Sequence, residues 1–218
     1  MPLDDLTYRH RPASDDADGA LILMHGRGVD ENDLFPLIDL LDPQQRLEAF
    51  TPRAPLQPAG QMGNHWYVVQ QVGYPDHESF THGYGVLGSW LDAVAEETGI
   101  PPGRTVLGGF SQGGVVSYAT GLGEGRPVPA GVIALSSFIP RVEGWEPDFS
   151  GREELPVYHG HGTADPIITV DFGRQARDLL DGRVNLTYRE HPGAHTIDPR
   201  SFGELPDWIT AAVDRAGA

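Results

Sequence analysis

Residues 104–114 read RTVLGGFSQGG, and the rest of the chain is best understood outward from them. Residues 105–107 have the β-branched and apolar content of a strand, and a helix is predicted over 112–122. Between them stands Gly109-Phe110-Ser111-Gln112-Gly113, a G-x-S-x-G pattern. A chain that turns this sharply from strand to helix forces the central serine into a strained backbone conformation and leaves its hydroxyl exposed. Side chains two residues to either side would collide across the bend, so glycine is wanted at both places. The helix that starts here also directs its free N-terminal amides and positive dipole end toward the serine. A glycine-rich strand–helix turn with no chemistry is the plainer reading of the same letters. The choice between the two rests on the residues elsewhere in the chain.

Short apolar runs bounded by Gly or Pro alternate with helical patterns on both sides of this turn. Residues 20–24, ALILM, are compact and non-alternating, as predicted for a central strand covered on both faces. Further strands are predicted over 49–51, 131–135, 156–159 and 184–190, and residues 3–9 suit an antiparallel edge strand. Helices are predicted over 33–41, with Pro36 tolerable only near the first turn, over 78–98, over 171–180 and over 202–213. In 78–98 the apolar residues Val86, Leu87, Trp90, Leu91, Val94 and Ala95 keep the three-to-four spacing, and Gly99 stops the helix. Strands alternating with helices imply right-handed crossovers. The expected fold is α/β, a mostly parallel central sheet flanked by helices, in a single domain over 1–218 with no large lid. Residues 52–77, rich in Pro and Gly, are the long irregular exception, and such a stretch is more often functional than idle.

Composition narrows the partners. The chain has 218 residues with 31 acidic against 15 basic, a net charge of −16, and every basic residue is an arginine. A surface this anionic repels nucleic acid and anionic membranes, so neither is an expected partner. Adaptation to high salt and a GC-rich coding bias account for it equally well. No stretch approaches the roughly 18 apolar residues of a membrane span, so no stable membrane insertion is expected. The first 19 residues lack the apolar core of a secretory signal, and a cytoplasmic location is expected. Cysteine is absent, which removes disulfides, thiolate metal sites and cysteine nucleophiles. The sequence does not decide the oligomeric state, and a homodimer stands among the partners considered.

A serine hydroxyl needs a base, and the base an orienting acid. Residues 155–168, LPVYHGHGTADPII, run from a strand into a loop bearing Asp165, and residues 184–197, VNLTYREHPGAHTI, from a strand into a loop bearing His195. Taken alone, Asp165-Pro166 is an ordinary turn pair; its place after a strand raises the acid role. His191 competes with His195, but it precedes Pro192 at the strand end, so His195 is the preferred base. Two backbone donors are needed for a developing oxyanion. The amide of Gln112 directly follows the serine, and the amide of Arg27, in the His25-Gly26-Arg27-Gly28 turn after ALILM, is the second candidate. That turn also reads as a simple glycine bend.

Four segments in order, LMHGRGVDENDL, GGFSQGG, HGTADPII and PGAHTI, together resemble the carboxylesterase/phospholipase family of α/β-hydrolases that includes the acyl-protein thioesterases. The resemblance extends from about residue 20 to 213. It implies the α/β-hydrolase fold and a triad of Ser111, Asp165 and His195, with the Arg27 and Gln112 amides stabilising the oxyanion. It implies hydrolysis of carboxylic esters, thioesters or lysophospholipids, with no metal and no organic cofactor. HGRG stands where the eukaryotic thioesterases carry HGLG. This departure argues against an acyl-protein substrate and for the bacterial or archaeal esterase branch. Ala194 replaces the glycine that many members have before the histidine.

The expected partner is a small-molecule ester. Trp66, in the irregular segment, and Phe138, after a strand end, are candidate pocket residues, and ordinary core packing is the competing reading of both. Two alternatives of other classes remain. His159 and His161, alternating on one strand face, suit a metal-dependent hydrolase with Asp165 as third ligand. A hydrolase-fold binding protein that has lost catalysis is the second, although such proteins usually lack a triad member.

Overall fold

The period-2 geometry of a strand sends neighbouring side chains to opposite faces, and here both faces are covered. The computed structural model describes residues 2–215. Residue 1 and residues 216–218, the extreme ends of the domain expected over 1–218, lie outside the described residues. All six residues of Gly19–Met24 are buried. Leu21 and Leu23 enter one core with residues of the first and last helices, whereas Ile22 and Met24 enter a second core with two other helices. This is why ALILM shows no polar alternation.

In chain order the elements are strands β1 (Tyr8–Arg11), β2 (Gly19–Met24), β3 (Leu47–Pro52), β4 (Val69–Gln71), β5 (Tyr74–Pro75), β6 (Thr105–Phe110), β7 (Gly131–Leu135), β8 (Pro156–Gly162) and β9 (Asn185–His191). The α-helices are α1 (Ile38–Leu41), α2 (His77–Thr98), α3 (Gln112–Leu122), α4 (Val170–Leu180) and α5 (Leu205–Arg215). Seven strands form one sheet in the order β1-β3-β2-β6-β7-β8-β9. Its neighbours pair in parallel except β1, which lies antiparallel on β3. The core on one face joins α2 and α3 through Phe80, Leu87, Trp90 and Val115; the core on the other joins α1 and α5 through Ile38, Leu205 and Ile209. The expected α/β architecture is therefore present. β4 and β5 form a separate small hairpin.

Three expected elements differ, each for a local reason. The edge strand predicted over 3–9 is displaced to Tyr8–Arg11, because Leu3–Asp5 forms a 3-10 turn that docks on α2, where Trp90 Nε1 donates to the Leu3 carbonyl at 3.0 Å. The helix predicted over 33–41 is split into a 3-10 turn, Phe35–Leu37, and the single turn of α1. Pro36 has no N–H to give a continuous helix. The helix predicted over 202–213 begins at Leu205, after a separate 3-10 turn over Pro199–Gly203 whose first residues are capped by the Asp198 carboxylate. Pro206 is confined to a first helical turn, which places the new start just before it.

Helix α2 ends at Gly99 as expected, and the structure adds a cap at its start. The Asp76 carboxylate accepts from the Ser79 amide at 3.0 Å, and Gly99 closes the helix at φ 70°.

Candidate active site

Ser111 adopts φ 55°, ψ −119°, a conformation that side-chain-bearing residues rarely take. The bend is held by close packing on both sides. A Cβ on Gly109 would lie 2.3 Å from the Gly113 carbonyl carbon, and one on Gly113 would lie 1.8 Å from the Met24 carbonyl oxygen. The second distance ties the elbow to the end of β2, so both glycines of G-x-S-x-G are sterically required. The Ser111 amide donates to the Leu135 carbonyl at 2.8 Å, fastening the turn to β7. The hydroxyl stands at the N-terminal end of the fully buried α3.

Ser111, His195 and Asp165 come together as a hydrogen-bonded row. His195 Nε2 lies 3.0 Å from Ser111 Oγ, and His195 Nδ1 lies 2.6 Å from Asp165 Oδ2. The carboxylate is buried, and its other oxygen accepts the Ile167 and Ile168 amides at 2.8 and 2.9 Å. An acceptor on one side assigns the proton to Nδ1 and leaves the Nε2 lone pair facing the serine. His195 is brought there by the loop after β9. Gly162 lies beneath that loop, so close that a Cβ would meet the Ala194 carbonyl oxygen at 2.2 Å. His191 is the last residue of β9; it is buried, and its carbonyl accepts from the Thr163 amide. It makes no side-chain hydrogen bond to Ser111 or Asp165.

The loop after β2 is anchored by His25. Its Nε2 accepts from the Ala54 amide at 3.0 Å, so the proton sits on Nδ1, which donates to the Gly26 carbonyl at 2.6 Å. Burial lowers its pKa below the ordinary 6.5, in keeping with a neutral ring. Trp66 Nε1 donates to the His25 carbonyl at 2.9 Å, and the Gly28 amide donates to the Asn64 carbonyl, also at 2.9 Å. The backbone N–H groups of Arg27 and Gln112 have no acceptor among the described residues. The Gln112 side chain has a part that was not foreseen. Its Oε1 accepts from the Trp66 amide at 3.0 Å and its Nε2 donates to the Tyr67 carbonyl at 2.8 Å, clamping the irregular segment onto α3.

A cavity of about 70 Å³ reaches Ser111, lined among others by Arg27, Tyr67, Val69, Phe138 and Ile168. Phe138 is in that lining. Trp66 is not: it is completely buried, packed with its ring 5.5 Å from that of His25, and the lining position falls to its neighbour Tyr67. The aromatic content of 64–67 pointed to this wall, but the clamp on α3 decides which ring faces it. Val69 and Val72 come from the β4–β5 region, and the Ile167-Ile168 pair directly follows Asp165 in the quoted HGTADPII. Beyond Phe138 opens a larger cavity of about 390 Å³, bordered by Tyr74, Trp145 and Phe172 and not reaching Ser111. Volume alone would favour that cavity, but the candidate chemistry lies in the smaller one.

His159 and His161 have no nitrogen left for a metal. The Tyr118 hydroxyl donates to His159 Nδ1 at 2.7 Å, His159 Nε2 donates to His161 Nδ1 at 3.1 Å, and His161 Nε2 donates to the Ile168 carbonyl at 2.8 Å. Both rings are wholly buried, and desolvation lowers both pKa values, that of His159 to about 3. His161 Nε2 also passes 3.8 Å from Asp165 Oδ2, but a neutral ring makes no ion pair there. Among the described residues no group of three His, Cys, Asp or Glu is placed to hold a metal ion.

A parallel sheet with a strained serine at the end of its central strand, and a histidine and a carboxylate delivered by later strands, defines an α/β-hydrolase. Solved structures agree in fold. The Bacillus cereus carboxylesterase superposes with a TM-score of 0.80 at 22% identity, over 95% of this chain and 94% of that one. The Mesorhizobium loti carboxylesterase superposes at 0.79 and 18% identity, over 94% of each. Residues 11–213 match the family model described as Phospholipase/Carboxylesterase, and the chain belongs to that family. By sequence it is 31% identical over 212 residues to acyl-protein thioesterase 1 of Debaryomyces hansenii, covering 88% of this chain and 90% of that protein. It is an esterase-type hydrolase.

Proposed function

We propose that the chain cleaves small carboxylic esters or thioesters through an acyl-enzyme on Ser111. The observation that carries this reading is the row from Ser111 Oγ through His195 to Asp165. His195 Nε2 takes the serine proton as Oγ attacks the substrate carbonyl. It returns that proton to the departing alcohol or thiol, and a water molecule then repeats the sequence in reverse to free the acid. Asp165 holds the Nδ1 tautomer and offsets the charge that His195 acquires. The amides of Arg27 and Gln112, unpaired among the described residues, are the donors assigned to the tetrahedral oxyanion, each worth about 10²–10³ in rate. No step calls for a metal or an organic cofactor. A complete row argues against a binding protein that has lost catalysis.

The small volume beside Ser111 and its apolar wall favour short acyl groups. A thioester is the second candidate bond, because the relative in Debaryomyces hansenii is named for thioesterase activity. The continuous sheet from β1 to β9 supports reading residues 1–218 as a single domain. Among the described residues no helix is long and apolar enough to cross a membrane. Wild type and Ser111→Ala would be incubated with a fluorophosphonate probe and with p-nitrophenyl esters from C2 to C12. Labelling and turnover confined to wild type, strongest on short chains, is expected. A folded wild type that is not labelled, or equal turnover by Ser111→Ala, defeats the proposal. Phe138→Ala, which opens the way to the larger cavity, is expected to move the preference toward longer chains.

A further inference from the structure

Arg27 has a side chain that no part of the mechanism uses. It is exposed, and among the described residues its guanidinium makes no hydrogen bond, ion pair or ring contact. That is unusual in this chain. Most of the other arginines lie against a carboxylate, as Arg53 does on Glu31, Arg126 on Asp92 and Arg189 on Glu204. With 31 acidic residues available, an arginine without a partner stands out.

Its position is equally specific. Among the described residues, Arg27 carries the only formal charge in the lining of the cavity that reaches Ser111. Gly26 comes close enough to the nucleophile that a Cβ there would sit 3.7 Å from Ser111 Cβ, so Arg27 is one residue from that approach. Its charge is felt at the Tyr67 phenol on the same wall, where it opposes the upward pull of burial. The backbone on either side is fixed, by the His25 ring on the Ala54 amide and by the Gly28 amide on Asn64. A fixed backbone with an unengaged planar cation suits recognition, because the ordering needed on binding is confined to the arginine side chain itself.

We infer that Arg27 is a specificity residue that selects esters carrying an anionic group, a carboxylate or a phosphate, a short distance from the scissile bond. This rests on the esterase reading above and names its substrate class. The fork of a guanidinium matches the paired oxygens of either anion. The surrounding apolar wall of Val69, Val72, Phe138 and Ile168 would take the uncharged part of the molecule. A chain of net charge −16 repels anions at long range. A cation at the mouth of the site counters that field over about 10 Å at 0.1 M salt.

The test compares kcat/KM within matched ester pairs for wild type, Arg27→Gln and Arg27→Lys. One pair places a carboxylate on the leaving group (4-butyryloxybenzoate against its methyl ester). A second places it on the acyl side (monoethyl against diethyl adipate). A third replaces the leaving-group carboxylate by phosphate (4-butyryloxyphenyl phosphate against 4-butyryloxyphenol). Reading the anionic-to-neutral ratio removes any general effect of the substitution on the adjoining backbone donor. Arg27→Gln is expected to lower that ratio about tenfold in at least one pair. Arg27→Lys should fall between the two, and the wild-type ratio should shrink between 0.02 and 0.5 M salt. The pair that responds tells which side of the ester, and which anion, faces Arg27. Equal ratios for wild type and Arg27→Gln in all three pairs, with the neutral esters still cleaved, overturn the inference and leave the esterase reading standing. A folded wild type that cleaves no member of any pair removes both.

Discussion

Strands β8 and β9 lie side by side in the sheet and both carry histidines to the end where Ser111 sits, yet the two sets are put to opposite uses. His159 and His161 on β8 are sealed in, neutral, and bonded in series from Tyr118 to the Ile168 carbonyl. His195, in the loop after β9, keeps a partly exposed ring with a carboxylate behind it and the serine hydroxyl in front. The difference lies in burial and in which nitrogen is left free, since the side chains are chemically identical. A sealed histidine has lost its titration near neutral pH and is useful only as a hydrogen-bonding spacer. The two sets are nevertheless joined. The Ile168 carbonyl that ends the buried series belongs to the same turn whose amides hold Asp165.

The comparison breaks most sharply on turnover. His195→Ala is expected to lower kcat for p-nitrophenyl butyrate by about 10⁵–10⁶, and Asp165→Asn by about 10⁴. His159→Phe should stay within about tenfold of wild type, and so should His191→Ala. A large loss in either of the last two, with His195→Ala active, reverses the assignment.

Acid stability sharpens it next. The pKa values of His25, His159 and His161 are all lowered by burial. Below the ordinary 6.5 the unfolded chain therefore binds protons that the folded chain refuses, and stability falls as pH falls. For His159 this window runs from 6.5 down to about 3. Each such histidine contributes at most about 1.4 kcal/mol per pH unit within its window. Urea midpoints taken between pH 7.5 and 5 should decline for wild type and decline less steeply for His159→Phe. Identical slopes would mean that the buried rings can protonate in place.

The smallest effect is expected from Tyr118→Phe, which leaves His159 Nδ1 without its donor. A loss of about 1–3 kcal/mol, or a few degrees of melting temperature per kcal/mol, should accompany nearly unchanged turnover. A stability equal to wild type would show that the series is not needed to hold β8 in place.

Much of the site was legible because its constraints are local or strictly ordered. Gly109 and Gly113 flank Ser111 for a steric reason that operates within five residues, and the same reason predicts the strained serine. Asp165 and His195 could be selected because each follows its own strand, and parallel strands bring those loops to one edge. His191 was set aside for the same reason, as a residue still within a strand. The cavity wall was legible only as a region. Nothing in the order Asn64-His65-Trp66-Tyr67 says that Trp66 turns inward to the His25 carbonyl while Tyr67 faces the cavity. Likewise, His159 and His161 at alternate positions fit a metal pair as well as a buried relay until Tyr118 and Ile168 are brought beside them.

By itself, then, the sequence determined the alternating layers, the elbow and the identity of the row, because hydrophobic period, glycine sterics and chain order are written along the chain. The tertiary structure alone decided which aromatic lines the cavity, which histidines are silenced and that the Arg27 guanidinium beside the cavity is left without a partner among the described residues. Those outcomes depend on contacts between residues remote in sequence, such as the Gln112 side chain on residues 66 and 67. A lone pair or a charge acquires its use only when folding either occupies it or leaves it open.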